Sequence, residues 1–329
     1  MPILYDENKQ LFTLQTDRTA YQMKVDEYGF LLHTYYGTRV DSDMSYLITY
    51  ADRGFSGNPY CAGKDRTCSL DVLPQEFPCK GNGDYRSTAL IMQNTDGSCS
   101  VDLRYESHRI YPGKYGLPGL PAVYADESES ETLEITMRDP VTEITAVLYY
   151  GVIPDTDIIT RAVKVTNGGT GRCSVEKLQS ACLDFLYGDF ETVTFYGRHT
   201  MERNLQRQKV GHGQFVIESR RGNSGHQYNP MMILCRPETT EEAGDCYAMN
   251  FVYSGGFSAS AEKDQMDQTR CLMGLMTEDL SYPLSADESL YGPEVILTYS
   301  DRGFQQLSHN LHRIIRDHII RGPYKDAKR

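Results

Sequence analysis

The residues from Asp52 to Arg86 read D-R-G-F-S-G-N-P-Y-C-A-G-K-D-R-T-C-S-L-D-V-L-P-Q-E-F-P-C-K-G-N-G-D-Y-R. Five glycines and three prolines in this stretch exclude a helix or a central strand. Ten charged residues are interspersed with apolar side chains that we expect to anchor the segment. These apolar residues are Phe55, Tyr60, Leu70, Val72, Leu73 and Phe77. A long loop with packing residues of its own is typically functional, and the alternative is a surface loop that only covers one end of a core.

Strand-like segments lie on both sides of this loop. Before it, Tyr21, Met23 and Val25 alternate with polar residues, and D-E-Y-G at 26–29 is typical of a hairpin turn. After it, the same alternation recurs, with Ile159, Arg161, Val163 and Val165 on one face of a segment that N-G-G-T-G at 167–171 ends. About a dozen short strands separated by turns favour a large antiparallel β-sandwich.

A single segment has clear helical periodicity. We expect Ser300 to be its N-cap and Gly322-Pro323 to end it. Apolar residues recur at intervals of three or four positions, namely Phe304, Leu307, Leu311, Ile315 and Ile319. The sequence therefore predicts a β domain over residues 1–300 and a linker helix within 301–329.

Composition and charge exclude several classes of protein. The chain has 329 residues and a net charge of −12, whereas nucleic acid and anionic membranes select a basic face. No apolar run approaches the roughly 18–20 residues of a membrane helix, and the N-terminus lacks the pattern of a signal peptide. Nine cysteines without a C-x-x-C pair predict reduced thiols in a cytoplasmic protein. We expect neither a metal nor a cofactor.

Three ordered sequence blocks carry a resemblance to a known family. The first contains F-S-G-N-P, D-R-T, S-L-D-V-L-P-Q-E and G-D-Y-R between Phe55 and Arg86. The second combines Y-G-R-H-T-M-E-R-N at 196–204 with E-S-R-R-G-N-S-G-H-Q-Y-N-P at 218–230, and the third is R-G-P-Y-K-D-A-K-R at 321–329. Together they resemble the N-terminal domain of family 36 glycoside hydrolases, the large bacterial and fungal α-galactosidases. The third block is similar to the family's entry into its catalytic barrel.

The resemblance implies a mainly β fold, a large antiparallel β-supersandwich followed by a C-terminal linker helix, with the catalytic (β/α)8 barrel absent from this chain. It implies that the intact protein is a homotetramer that removes terminal α-galactosyl units from oligosaccharides such as melibiose or raffinose. The family works by a retaining double displacement between two carboxyl groups. Both are aspartates of the barrel, so we expect no catalytic residue within 1–329 and no activity of this chain alone. Its expected partners are its own barrel, other subunits and the α-galactoside.

Asp52 and Arg66 are the candidate substrate-binding residues. A sugar hydroxyl both donates and accepts hydrogen bonds. A carboxylate can accept from it, and a guanidinium can donate to it. The resemblance implies that this loop projects into an active site, often that of a neighbouring subunit. Arg53 and Asp65 are adjacent alternatives, because loop length varies within the family. A surface ion pair worth under about 1 kcal/mol is the alternative interpretation.

Other polar clusters favour structural roles. One cluster in the loop is expected to tie the loop to itself and to the barrel, rather than to form the carboxylate pair of a glycosidase: Asp71, Glu76, Asp84 and Arg86. A second set is expected to form a hydrogen-bonded network, within or between domains, rather than a metal or acid–base site: Arg198, His199, Glu202, Arg203, His226 and Gln227. Ser224 lies in G-N-S-G-H, which is not the nucleophile elbow of serine hydrolases.

Two other classes of function stay open. A free-standing carbohydrate-binding module would bind galactose without a partner domain. A sugar mutarotase would need an acid and a base in one groove, for which His199 and Glu202 are the candidates. The 24 tyrosines and the absence of tryptophan favour core and interface roles for these rings over sugar stacking.

Overall fold

A computed structural model describes residues 2–52, 54, 57–323 and 325–327. These residues form strands β1 (Ile3–Asp6), β2 (Leu11–Gln15), β3 (Thr19–Val25), β4 (Leu31–Thr38), β5 (Leu90–Gln93), β6 (Arg104–Pro112), β7 (Glu131–Arg138), β8 (Ile144–Ile153), β9 (Ile158–Asn167), β10 (Cys173–Phe185), β11 (Glu191–Arg198), β12 (Met201–Lys209), β13 (Gly213–Glu218), β14 (Met231–Cys235), β15 (Cys246–Phe251), β16 (Phe257–Lys263), β17 (Thr269–Leu275), β18 (Tyr282–Leu284) and β19 (Ser289–Ser300), and one helix α1 (Gly303–His318). The fold is mainly β, as the sequence predicts, and the described part of the chain contains no closed barrel.

The strands form three antiparallel sheets. A four-stranded sheet has the order β1-β2-β3-β4, and a nine-stranded sheet has the order β12-β11-β14-β15-β19-β9-β8-β7-β6. The remaining strands follow the order β13-β16-β17-β10-β18, and β5 also pairs with β10. Phe12, Leu148 and Leu183 come from different sheets and belong to one apolar cluster, so the three sheets share a core.

Strand burial depends on position in the sheet. In β8, Ile144, Ala146 and Leu148 are buried and alternate with partly exposed residues, as the period of two predicts. The first six residues of β9 are buried on both faces because this strand lies in the interior of the nine-stranded sheet. Its Ile159 points into the shared core, whereas Ile158 joins a second cluster on the opposite face.

Helix α1 covers that opposite face. Leu307, Leu311 and Ile314 are buried against residues of β9, β15 and β19. The helix lies within the predicted segment but ends at His318, before the expected stop at Gly322-Pro323. Ile314 rather than Ile315 continues the buried stripe, and Ile315 is exposed. The domain boundary at residue 300 remains a prediction.

The N-cap expected at Ser300 is wrong. Ser300 is the last residue of β19, and Arg302 occupies the N-cap position without a capping side chain. The Ser300 hydroxyl instead accepts a hydrogen bond from the Arg302 N–H at 3.0 Å. The chain needs this short turn because β19 pairs with β15 as far as Ser300 before the helix begins.

The long loop is irregular, as its glycines and prolines predict. Among the described residues between Asp52 and Arg86, the only helical or strand element is a short 3-10 turn at Tyr60–Ala62. Four of the expected anchors are buried: Leu70, Val72, Leu73 and Phe77. Tyr60 is fully exposed, so its expected anchoring role is wrong, and Phe55 lies outside the described residues.

Three expectations from the sequence concern disulfides, membrane-spanning helices and metal sites. All nine cysteines are described and none forms a disulfide. None of the described residues belongs to a helix long and apolar enough to cross a membrane. Groups of three or more His, Cys, Asp or Glu that could hold a metal ion are also absent from the described part of the chain.

Candidate functional site

Asp52 and Arg66 form an ion pair on the outer rim of the long loop. Arg66 Nη2 lies 3.4 Å from Asp52 Oδ1, and the two side chains are 58% and 52% exposed. The Gly54 backbone joins them, because its N–H donates to Asp52 at 2.8 Å and its carbonyl accepts from Arg66. An exposed pair of this kind opens at little cost, so both groups are accessible to a hydroxylated ligand.

The neighbouring alternatives differ in geometry. Arg53 lies outside the described residues. Both carboxylate oxygens of Asp65 are occupied, one by the N–H and hydroxyl of Thr67 and the other by the Tyr28 hydroxyl at 3.0 Å. The hydroxyl and N–H of Thr67 hold the pKa of Asp65 below its ordinary value. Asp65 therefore shapes the loop, and Arg66 extends outward from it.

Glu76 fixes the centre of the loop in the protein core. Its Oε1 lies 2.6 Å from Arg161 Nη1 and accepts hydrogen bonds from the hydroxyls of Tyr21 and Tyr150 at 2.6 and 2.8 Å. His33 Nδ1 is 3.2 Å from the other oxygen. All five side chains are buried. We call these five residues the Glu76 network.

The charge state of Glu76 follows from these contacts. Burial alone would raise the pKa of its carboxyl, but the Arg161 guanidinium and the hydrogen bonds from His33 and Tyr21 outweigh it. The pKa of Glu76 therefore lies below its ordinary value, and the carboxylate stays ionised. Arg161 Nη2 also donates to the Glu76 carbonyl at 2.6 Å, which ties the loop backbone to strand β9.

A second buried network holds the end of the loop. Asp84 lies 3.0 Å from Arg86 Nε and 2.8 Å from Arg270 Nη2, and Arg270 also pairs with Asp184 at 2.6 Å. Burial would raise the pKa of Asp84, but Arg270 and Arg86 lower it to about 2. Arg86 further donates to the carbonyls of Leu70 and Leu73. We call Asp84, Arg86, Asp184 and Arg270 the Asp84 network.

These networks confirm part of the expected role of the loop charges. Glu76, Asp84 and Arg86 bind the loop to itself and to the sandwich. Asp71 is more peripheral, since it accepts hydrogen bonds from the Tyr85 N–H and from Gln265. Contact of these four residues with a barrel stays a prediction.

The structure places the second predicted polar set differently. Arg198, His199, Glu202, Arg203 and His226 are exposed, and the hydrogen bonds recorded for them are local, such as that from the Thr200 N–H to Glu202. Within the described part of the chain these side chains make no hydrogen bonds to one another, and a network with another domain stays a prediction. Glu202 and Arg203 lie on β12, an edge strand of the nine-stranded sheet, and His199 lies in the turn between β11 and β12. The two sequence blocks do meet, since Tyr196 bridges Tyr228.

Comparison with known proteins agrees with this architecture. Residues 29–285 match the glycosyl hydrolase family 36 N-terminal domain. The bifunctional alpha-galactosidase/sucrose kinase AgaSK of Mediterraneibacter gnavus is 54% identical over 100% of this chain and 35% of its own length. The solved galactosidase domain of AgaSK has a TM-score of 0.98 over 99% of this chain and 46% of that structure.

A second relative has been solved with sugars. Variants of the alpha-galactosidase AgaA of Geobacillus stearothermophilus in complex with raffinose and with stachyose are 37% identical, with a TM-score of 0.94 over 97% of this chain and 44% of those structures. The chain thus spans less than half the length of the relatives it matches. The match of more than half of the chain to one domain family shows that this chain belongs to glycosyl hydrolase family 36 and contains the N-terminal domain of that family.

Proposed function

We propose that this chain is the N-terminal part of a retaining α-galactosidase that removes terminal α-galactosyl units from oligosaccharides of the melibiose and raffinose type. The observation that carries the proposal is the 54% identity with an alpha-galactosidase across the whole chain, together with the near-identity of the two folds. The proposed partners are the catalytic barrel, further copies of the chain in a homotetramer and the α-galactoside. A cytoplasmic location fits the nine free cysteines.

Within this enzyme, the chain supports hydrolysis without performing it. A retaining glycosidase needs a nucleophilic carboxylate and a carboxylic acid about 5–5.5 Å apart, and the acid needs a raised pKa. Glu76 and Asp84 have lowered pKa values and are buried against arginines, so neither is suited to donate a proton to a glycosidic oxygen. We place the nucleophile and the acid–base in the barrel.

Asp52 and Arg66 are the proposed sugar contacts of this chain. Their exposure leaves one carboxylate and one guanidinium open to solvent at the same point of the surface. The carboxylate accepts from sugar hydroxyls, and the guanidinium donates to them. The Glu76 and Asp84 networks bind the later part of the same loop to the β-sandwich, which restricts the movement of the loop that carries this pair.

The first test is an activity assay of this chain with p-nitrophenyl α-galactoside, with the mass in solution measured by light scattering. We expect no hydrolysis above the buffer background. A dimeric or tetrameric mass would indicate that assembly is encoded in these residues. Turnover that survives repurification would place the catalytic groups within residues 1–329 and contradict the proposal.

The second test addresses the sugar contacts in a working enzyme. The corresponding part of the AgaSK galactosidase domain is replaced by this chain, and the chimera is assayed with raffinose. We expect Asp52→Ala and Arg66→Ala each to lower kcat/KM by about 10- to 100-fold, since a hydrogen bond to a charged group is worth about 1.5–3 kcal/mol.

The matched control for this test is Asp155→Ala. Asp155 forms an equally exposed ion pair with Arg313, 2.9 Å apart, at a site remote in sequence from the long loop. The control should leave kcat/KM unchanged. Unchanged kinetics in the Asp52 and Arg66 variants as well would show that their pair is only a surface ion pair.

A further inference from the structure

A cleft separates the two halves of the long loop. Its volume is about 610 Å³, within the usual range for small-molecule sites. One wall is the segment 57–61 and the other is 81–85, while Asp102, Arg104 and Pro140 lie at its base. Neither Asp52 nor Arg66 lines this cleft.

Two tyrosine rings at the cleft are the most exposed of the described tyrosines. Tyr60 is 102% exposed and Tyr85 is 81% exposed, whereas rings such as Tyr21 and Tyr150 are buried. Two exposed aromatic rings at one cleft offer an apolar surface to a ligand, because burying that surface is favourable. These two described rings lie outside the core, and the interface role expected for such rings stays a prediction.

The polar groups of the cleft match neutral, hydroxyl-rich ligands. Asp102 pairs with Arg104 at 2.7 Å, so the charges at the base cancel and neither an anion nor a cation is favoured. Asp102 remains 44% exposed and keeps lone pairs for hydroxyl donors. The Asn58 Oδ1 atom is buried with no hydrogen-bond partner among the described residues, and Asn58 lines the cleft.

The base of the cleft is rigid. The Arg104 guanidinium lies 3.6 Å from the centre of the Phe30 ring, and it donates to the Tyr28 carbonyl at 2.5 Å. Arg104 also donates to both oxygens of the Asp102 carboxylate and so holds this group at the base of the cleft. The glycine-rich wall comes close to the opposite wall, since an added Cβ at Gly83 would lie 3.7 Å from the Gly57 carbonyl oxygen.

We propose that this cleft is a sugar subsite that binds one ring of an α-galactosyl oligosaccharide, separate from the Asp52–Arg66 contact. The apolar C–H groups of the sugar pack on both Tyr60 and Tyr85, whose ring faces carry negative quadrupole charge. Its hydroxyls donate to Asp102 and to the asparagine side chains. The assignment of the sugar as a galactoside rests on the proposed function.

The test is calorimetric titration of this 329-residue chain with the galactosyl tetrasaccharide stachyose. We expect Tyr60→Ala and Tyr85→Ala each to weaken binding about fivefold to tenfold, which corresponds to the worth of a ring contact. Tyr46→Ala is the control, because Tyr46 is 72% exposed but does not line the cleft. The midpoint of thermal unfolding of all three variants should match that of the unsubstituted chain, because the three rings make few contacts with the rest of the protein.

Several results would overturn the proposal. These are the absence of stachyose binding, equal affinity in the cleft and control variants, and a loss of oligomer mass in the Tyr60 and Tyr85 variants without a change in affinity. The last would identify the rings as a subunit contact.

A titration with maltotetraose separates this proposal from the proposed function. If both tetrasaccharides bind equally, and both lose affinity in the Tyr60 and Tyr85 variants, the cleft is a sugar subsite. It would then give no support to galactoside specificity. Selective, ring-dependent binding of stachyose by a chain that does not hydrolyse p-nitrophenyl α-galactoside would support both.

Discussion

Replacement of Arg161 by methionine is expected to lower the free energy of unfolding by about 3–5 kcal/mol, because it leaves the ionised Glu76 carboxylate buried without its charged partner. The Arg161 side chain is fully buried, and the carbonyls of Glu76 and Cys182 would also lose their donor. Urea unfolding followed by far-UV circular dichroism measures the change. The effect should exceed that of ordinary surface substitutions several-fold.

A second substitution distinguishes charge from packing. Glu76→Gln keeps an oxygen that accepts from Tyr21 and Tyr150 but removes the charge. In the double variant Arg161→Met, Glu76→Gln, we expect part of the lost stability to return, because no unpaired charge stays buried. Arg313→Met, in an exposed pair, is the control and should change the free energy of unfolding very little. If Arg161→Met behaved like this control, the Glu76 network would not hold the loop.

Local patterns in the sequence predicted the elements of the fold but not their partners. The alternation of Ile144, Ala146 and Leu148 predicts strand β8 because burial follows the period of two. The same pattern placed Arg161 on the apolar face of β9, which was the signal for a buried ion pair. It could not identify Glu76 as the partner, since the partner lies 85 residues away in an irregular loop.

Exposure was the least predictable property of the candidate sites. His199 and Glu202 belong to a hairpin whose strand β12 lies at a sheet edge, and strand order cannot be read from a local pattern. Tyr60 has an aromatic side chain that could anchor the loop in the core, but the ring projects into solvent. Conversely, the structure brings Asp52 and Arg66 within 3.4 Å, although 14 positions separate them in an irregular segment. Such placements depend on tertiary packing rather than on sequence spacing.

The Asp84 network gives the second large effect. Arg270→Met is expected to lower the free energy of unfolding at pH 7 by about 3–5 kcal/mol, because Asp84 and Asp184 both lose a buried partner. Arg270 also donates to the Ser87 carbonyl at 2.9 Å, so the end of the loop loses its tie to strand β17. Neither Asp184 nor Arg270 was singled out from the sequence. The sequence feature that could have identified them is a charged residue next to apolar residues in each of two strand-like segments, one acidic and one basic.

The loss in the Arg270 variant should shrink in acid. The pKa of Asp84 is lowered in the folded protein from 3.8 to about 2. The ionised Asp84 carboxylate therefore adds about 2 kcal/mol to the free energy of unfolding above about pH 3.8. This contribution is lost as the pH falls towards 2. Without Arg270 the pKa of Asp84 returns towards its ordinary value, so the variant loses less stability on acidification than the unsubstituted chain. Urea unfolding of both proteins at pH 7 and pH 3 measures the gap between them. A gap that stays constant would mean that Arg270 stabilises the loop through packing and backbone contacts, and that its charge contributes nothing.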